Sequence, residues 1–193
     1  MRKVYLLFSL AVISFASQAQ IEKKNVLFGG SFGFNIQESE LGDTESNSNL
    51  LPFVQYAYKN NRTIGFNLDF HYSSNTNVLG KYENFSVTPG INFTQYFPLK
   101  GGFGWWLQEG AGVGFSTSKY PGASSVKKSE YTYGFVHVTP GLYYAIGEKK
   151  NWLLQASVGE VYASYSGRDD YESWVFDTNF FQKYRFGFAY VFK

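Results

Sequence analysis

The sequence predicts an all-β chain closed into an eight-stranded antiparallel up-and-down transmembrane β-barrel. Three observations predict it. In residues 63–73, Ile64, Phe66, Leu68, Phe70 and Tyr72 are large and apolar, whereas Gly65, Asn67, Asp69, His71 and Ser73 are small or polar. That period of two belongs to a strand with unlike faces. Similar runs recur about eight times along the chain, separated by connections that alternate between short and long. Aromatic residues make up 21% of the chain, with 20 Phe, 16 Tyr and 4 Trp, an excess seen where rings meet membrane interfaces.

Residues 1–19 read as an export signal, and residues 20–193 as a single barrel domain. Arg2 and Lys3 form a charged start, Val4 to Phe15 is an apolar run, and Ser17-Gln18-Ala19 is a small-x-small cleavage site. The alternative is a short hydrophobic arm of a soluble domain. No other stretch approaches the ~20 apolar residues of a membrane helix.

The strands follow in order. The first is expected over 26–37, with Val26, Phe28, Phe32, Phe34 and Ile36 on one face; the second over 49–58; the third over 63–73. The fourth covers 85–97, with Phe85, Val87, Ile91, Phe93 and Phe97 aligned, and the fifth 103–116. The sixth covers 131–146, with Val136, Val138, Leu142, Tyr144 and Ile146 aligned, and the seventh 152–165. The eighth covers 174–192 and ends with Tyr184, Phe186, Phe188, Tyr190 and Phe192 on one face. Residues 38–48, 74–84, 117–130 and 167–173 read as long polar loops, and 59–62, 98–102 and 147–151 as tight turns. Pro52, Pro89 and Pro140 fall inside strands; a proline cannot donate to a ladder, so each implies a β-bulge or a locally unpaired position.

Volume decides which face points outward. An eight-stranded barrel encloses only enough room for side chains to fill it, and the bulky face offers about forty of them. The Gly, Ser, Thr, Asn and Gln face therefore points inward and the aromatic face outward, toward lipid. Trp105, Tyr144, Trp152 and Tyr190 near the short turns, and Tyr72, Tyr131 and Trp174 near the long loops, are expected to form two interfacial girdles.

With its signal segment, its Gly110-Ala111-Gly112-Val113-Gly114-Phe115 strand and its final strand Tyr184 to Phe192, the chain resembles the small OmpA/OmpX-type outer-membrane barrels. The resemblance implies residence in a bacterial outer membrane as part of the cell envelope. It also implies contact with membrane lipids and lipopolysaccharide, and delivery by the barrel-assembly machinery. That machinery reads a terminal aromatic: Phe192 fills the role, although Lys193 follows it. A non-enzymatic role in envelope structure, adhesion or surface interaction through long extracellular loops is the implied function, carried out by a monomer.

The residues themselves exclude several chemistries. There is no Cys, so no disulfide, thiolate metal site or lipid-modified cysteine arises, and two His make no transition-metal cluster. A net charge of +2 gives no case for nucleic acid, and no cofactor motif is present. Inward parity gathers Asp69, His71, His137, Lys183 and Arg185 in the lumen. Glu109 and Glu160 fall on the lipid face by simple parity, unless bulges or a one-residue register error turn them inward to join Lys183 and Arg185. The expected lumenal charge network is thus Asp69, Glu109, Glu160, Lys183 and Arg185, acting as a structural plug or, alternatively, as the gate of a narrow channel. His71 and Ser73 also have the His-x-Ser spacing of a lipid A deacylase-like, lipid-modifying enzyme, but on the lumenal face.

Overall fold

A computed structural model of the protein describes residues 21–38, 44–77, 80–120, 127–147, 149–168, 171–178 and 185–193. The expected export signal, and Lys183 of the expected charge network, lie outside them. Ten strands are present: β1 (Val26–Glu38), β2 (Thr44–Lys59), β3 (Arg62–Asn77), β4 (Gly80–Pro98), β5 (Phe103–Tyr120), β6 (Lys127–Ile146), β7 (Trp152–Ser157), β8 (Val161–Arg168), β9 (Tyr171–Thr178) and β10 (Arg185–Phe192). All pair antiparallel with their neighbours, and β5–β6 and β1–β10 close the sheet on itself. β7 and β8 both pair with β6, so they are two halves of one stave; β9 and β10 are likewise two halves of the last. The ring therefore has eight staves, as expected.

The tight turns fall where the sequence places them. Asn61 (φ 59°) sits between β2 and β3, Gly101 and Gly102 (φ 80° and 91°) between β4 and β5, and Gly147 (φ 89°) after β6. These left-handed positions suit Gly and Asn.

The long connections differ from expectation. Residues 44–48, 74–77, 80–84, 117–120 and 127–130, read as loops, are strand. The polar segments of β2 and β3 stay in register from Leu50↔Phe70 to Thr44↔Thr76, and those of β5 and β6 as far as Tyr120↔Lys127. With water on both faces no alternation of polarity marks such strands, yet the backbone ladder continues to satisfy each N–H and C=O.

The three prolines resolve into both of the expected forms. At Pro52 the β2–β3 ladder lapses between Leu50↔Phe70 and Phe53↔Asn67 without a change of register, and at Pro89 the β4–β5 ladder lapses between Val87↔Phe115 and Gly90↔Gly112. At Pro140 the opposite strand shifts. The pairs Val138↔Val161 and Gly141↔Ser157 leave two residues of β6 facing the three residues 158–160, a one-residue bulge.

The outer wall carries the bulky face. Phe28, Phe66, Phe93, Phe115, Val136 and Phe188 are among its exposed residues. On β4 this band runs from Phe85 to Phe97, about 40 Å along the strand and about 28 Å across at a ~45° tilt, close to the ~25 Å apolar band of an outer-membrane barrel. At the short-turn edge, Phe97 stacks on Trp105 with centroids 3.7 Å apart and Trp152 meets Tyr190 at 4.9 Å, completing one girdle. Tyr131 departs from the expected girdle: it shares parity with Tyr133 and His137 on the inner face, because Tyr131 pairs with Ser116, an inner-wall residue.

Candidate functional site

The inner wall sorts into three levels. At the short-turn end the lumen is apolar: Leu27, Ala57, Ala145, Leu153, Ala189 and Val191 are buried there, together with Ile21 at 0% exposure. Residues 21–25 fold across this mouth. Asn61 donates its backbone N–H to the Ile21 carbonyl (2.8 Å), Lys24 donates to the Ala57 carbonyl (2.8 Å), and Ala57 donates to the Asn25 carbonyl (2.9 Å). Tyr96 and Tyr143 meet edge-to-face above this floor, with centroids 5.5 Å apart.

The next level is a neutral plug centred on Gln55. Its amide donates to Asn92 Oδ1 (3.2 Å) and Thr94 Oγ1 (3.1 Å). Its carbonyl oxygen accepts from Thr63 Oγ1 (2.9 Å) and from the Tyr96 hydroxyl (3.1 Å). Both amide protons and both carbonyl lone pairs are thereby used. Asn92 donates onward to Asn67 Oδ1 (3.2 Å), Gln108 to Thr94 Oγ1 (3.2 Å), and Gln155 to the Tyr96 hydroxyl (3.3 Å). Such a network is costly to open, since each freed group would be a buried polar atom without a partner. Trp106 is buried here, donating its indole N–H to the Leu142 carbonyl (3.1 Å). Its ring lies where a Cβ on Gly141 would sit, 2.3 Å from Trp106 Cε2. A small cavity of about 40 Å3 lies over the plug, bounded by Trp106, Gln108, Thr139, Gln155, Ser157 and Arg185.

The expected charge network is only partly assembled. The bulge at 158–160 reverses the parity of the seventh stave, so Glu160 turns inward, is buried, and accepts from Arg185 Nη2 at 3.4 Å. Glu109 does not join them. It pairs with Phe93 and Val138, both exposed residues of the outer wall, and no register shift intervenes on β5. Its position on the lipid face is the correction the structure makes to the network. Asp69 faces inward, beside Thr88 in register. What fills the middle of the barrel is neutral amide and hydroxyl chemistry rather than charge. The sequence held a signal for it: Gln55, Asn92, Thr94 and Gln108 are all inward positions four to six residues from a short turn.

Above the cavity, one wall is aromatic and the facing ones are small. Tyr133, Phe135 and His137 descend the inner face of β6, with Phe135 5.9 Å from both His137 and Tyr162 of β8. They lie flat over the glycines of β5; a Cβ on Gly114 would sit 2.1 Å from Tyr133 Cζ. Tyr133 reaches across that strand to Thr88 Oγ1 of β4 (3.2 Å). His71 and Ser73 share the inner face with Asn67, away from lipid.

The strand ends form a polar rim beyond the apolar band. On its outer surface Glu83 accepts from Lys81 Nζ (2.8 Å) and the Tyr72 hydroxyl (3.0 Å), and Lys119 Nζ lies 3.9 Å away. The hydrogen bond from Lys81, with that from Tyr72, holds the Glu83 carboxyl below the usual carboxylate range. No group of His and acidic residues with metal-binding geometry occurs among the described residues.

No protein-family model and no curated protein matches the sequence. Solved structures do. Neisserial surface protein A (NspA) superimposes with a TM-score of 0.56 at 15% identity, over 87% of this chain and 97% of that one. Ail, the attachment invasion locus protein of Yersinia pestis, gives 0.47 at 16% identity, over 89% and 100%, and the N-terminal β-barrel domain of Pseudomonas aeruginosa OprF gives 0.44 at 13%, over 88% and 98%. The NspA match, the closed ring of eight staves and the outward aromatic band converge: the chain has the fold of a small outer-membrane β-barrel.

Proposed function

We propose that this protein is a non-enzymatic surface-interaction barrel. It presents a stiff β rim, rather than long irregular loops, to the outside of the cell. One observation carries the reading. β2 to β6 are 16 to 20 residues long, whereas ~9–11 residues cross a bilayer. The excess lies at one end and is polar on both faces. Hydrogen-bonded strand holds side chains in fixed positions, which lowers the ordering cost of contact with a partner. Lipids and lipopolysaccharide surround the band, the chain acts as a monomer, and the barrel-assembly machinery inserts it.

Two features support this over the other classes. The neutral plug and apolar floor block the lumen, which argues against a channel. His71 and Ser73 face the lumen, out of reach of acyl chains in the bilayer.

The test is a shortened rim. Residues 75–82 are deleted, which removes the upper β3–β4 hairpin and leaves the lipid-facing band from Phe85 onward intact. Adhesion of outer-membrane-bearing cells to immobilised host matrix is then compared for the two forms, with heat-modifiable electrophoretic migration reporting the fold. Lost adhesion with a folded barrel is expected; unchanged adhesion overturns the reading.

A further inference from the structure

We propose that the polar pocket on the inner wall of the rim, between Tyr82 and Tyr120, is a subsite for one ring of a neutral saccharide. This rests on the surface-interaction reading and names its ligand class. The pocket is open to solvent and offers about 230 Å3, smaller than the usual site for a drug-sized molecule and so limited to a single ring. Tyr82 and Tyr120 stand edge-to-face, with centroids 4.8 Å apart and planes at 84°. In that arrangement one ring closes the side of the pocket and the other keeps a face for a ligand. Tyr82 is 39% exposed, so this aromatic surface is still in contact with water.

Around the rings stand groups suited to vicinal hydroxyls. Asn84 accepts through Oδ1 from Ser116 Oγ (2.6 Å) and Ser118 Oγ (3.3 Å), which fixes its amide plane and leaves the NH2 end as the donor. Glu45 accepts from Asn47 Nδ2 through Oε1 (2.9 Å), leaving Oε2 as an acceptor. A sugar ring offers what this set lacks: an apolar C–H face for the tyrosine and a rim of hydroxyls that both donate and accept. Charge narrows the class. On the inner wall the lining presents the Glu45 carboxylate and no Lys or Arg. Lys81 and Lys119 lie on the outer surface, engaged with Glu83. A sulfated or phosphorylated sugar would meet like charge.

The full barrel in a zwitterionic detergent without a sugar headgroup is titrated with maltose, cellobiose, lactose and chitobiose, and with a heparin-derived octasaccharide. Saturation-transfer NMR gives contact and the titration gives Kd. At least one neutral disaccharide is expected to bind. Tyr82→Ala should weaken it at least tenfold. Asn84→Asp keeps the acceptor for Ser116 and Ser118 but removes the NH2 donor, and should do the same. Lys119→Ala should change nothing, and heat-modifiable migration confirms that each variant folds. Absence of binding across the neutral panel, binding indifferent to both Tyr82→Ala and Asn84→Asp, or preference for the octasaccharide overturns the proposal. Adhesion lost on rim deletion yet untouched by Tyr82→Ala would sink the saccharide subsite and leave the surface-interaction reading standing. Adhesion indifferent to rim deletion would sink that reading itself.

Discussion

The Arg185–Glu160 pair makes an asymmetric prediction. At 3.4 Å between Nη2 and Oε2, the gross attraction is about 5 kcal/mol at an effective dielectric of ~20. Desolvation of two side chains that are 22% and 11% exposed offsets much of it. Removing one partner takes the ion pair from the other, and the two losses differ. In Arg185→Met the carboxylate keeps further polar company in the lumen, His137 included, which limits the penalty. In Glu160→Gln the guanidinium keeps its charge without its carboxylate, since it does not deprotonate in proteins. Glu160→Gln is therefore expected to cost about 3–4 kcal/mol and Arg185→Met about 2–3 kcal/mol. The double variant should cost no more than Glu160→Gln alone, a coupling of about 2–3 kcal/mol. Urea unfolding in liposomes, followed by tryptophan fluorescence, measures all three. Losses that add to within ~0.5 kcal/mol, or an arginine change costlier than the glutamate change, would refute the reasoning.

Three other outcomes follow from the wall and the plug. Glu109→Leu should raise the unfolding free energy by about 1–2 kcal/mol in the same assay, because it removes a carboxylate from the lipid face; unchanged or lower stability would mean that Glu109 is not in hydrocarbon. Gly141→Ala should cost about 1–3 kcal/mol by overpacking against Trp106 and the Ala156 carbonyl, whose oxygen lies 2.6 Å from the added Cβ; unfolding that matches the parent would show that the ring is free to move. Purified parent barrel should give no large, stable conductance steps in planar bilayers, whereas Gln55→Ala, which removes four hydrogen bonds, should give leak currents or a barrel unfolding at lower urea; large steps from the parent would end the plug reading.

The legible part of this molecule was the part in contact with hydrocarbon. Where lipid lies on one side and the filled lumen on the other, polarity alternates, so the runs Phe85 to Phe97 and Phe186 to Phe192 could be read directly. Above the band both sides are wet, the alternation vanishes, and residues 44–48, 74–77 and 80–84 look like loops although they are paired. Parity also runs only as far as the next bulge. It places Asn67 and Arg185 inward and leaves Glu109 and Glu160 as twin exceptions; the structure separates them, because of their two staves the seventh alone carries an extra residue. The neutral plug was missed because amides announce no chemistry, whereas charged residues draw the eye. The rings of β6 were hidden for a related reason: a run such as Tyr131, Tyr133, Phe135 reads as another lipid face until Gly110, Gly112 and Gly114 are seen beneath it.

The polar rim also constrains how the barrel reaches its final state. With the rim on the outside of the cell, as proposed above, every rim residue has to traverse hydrocarbon once, whereas the apolar floor at the opposite mouth never does. An unpaired strand in transit would expose a donor and an acceptor per residue, at several kcal/mol each. The ends therefore cross as ready-made hairpins, such as β3–β4 with its unbroken register from Arg62↔Gln95 to Asn77↔Gly80. Translocation then has a direction: the tips lead, the tight turns trail, and the cap of residues 21–25 can lock over the trailing mouth only after β2 and β3 have arrived, since its backbone partners are Ala57 and Asn61.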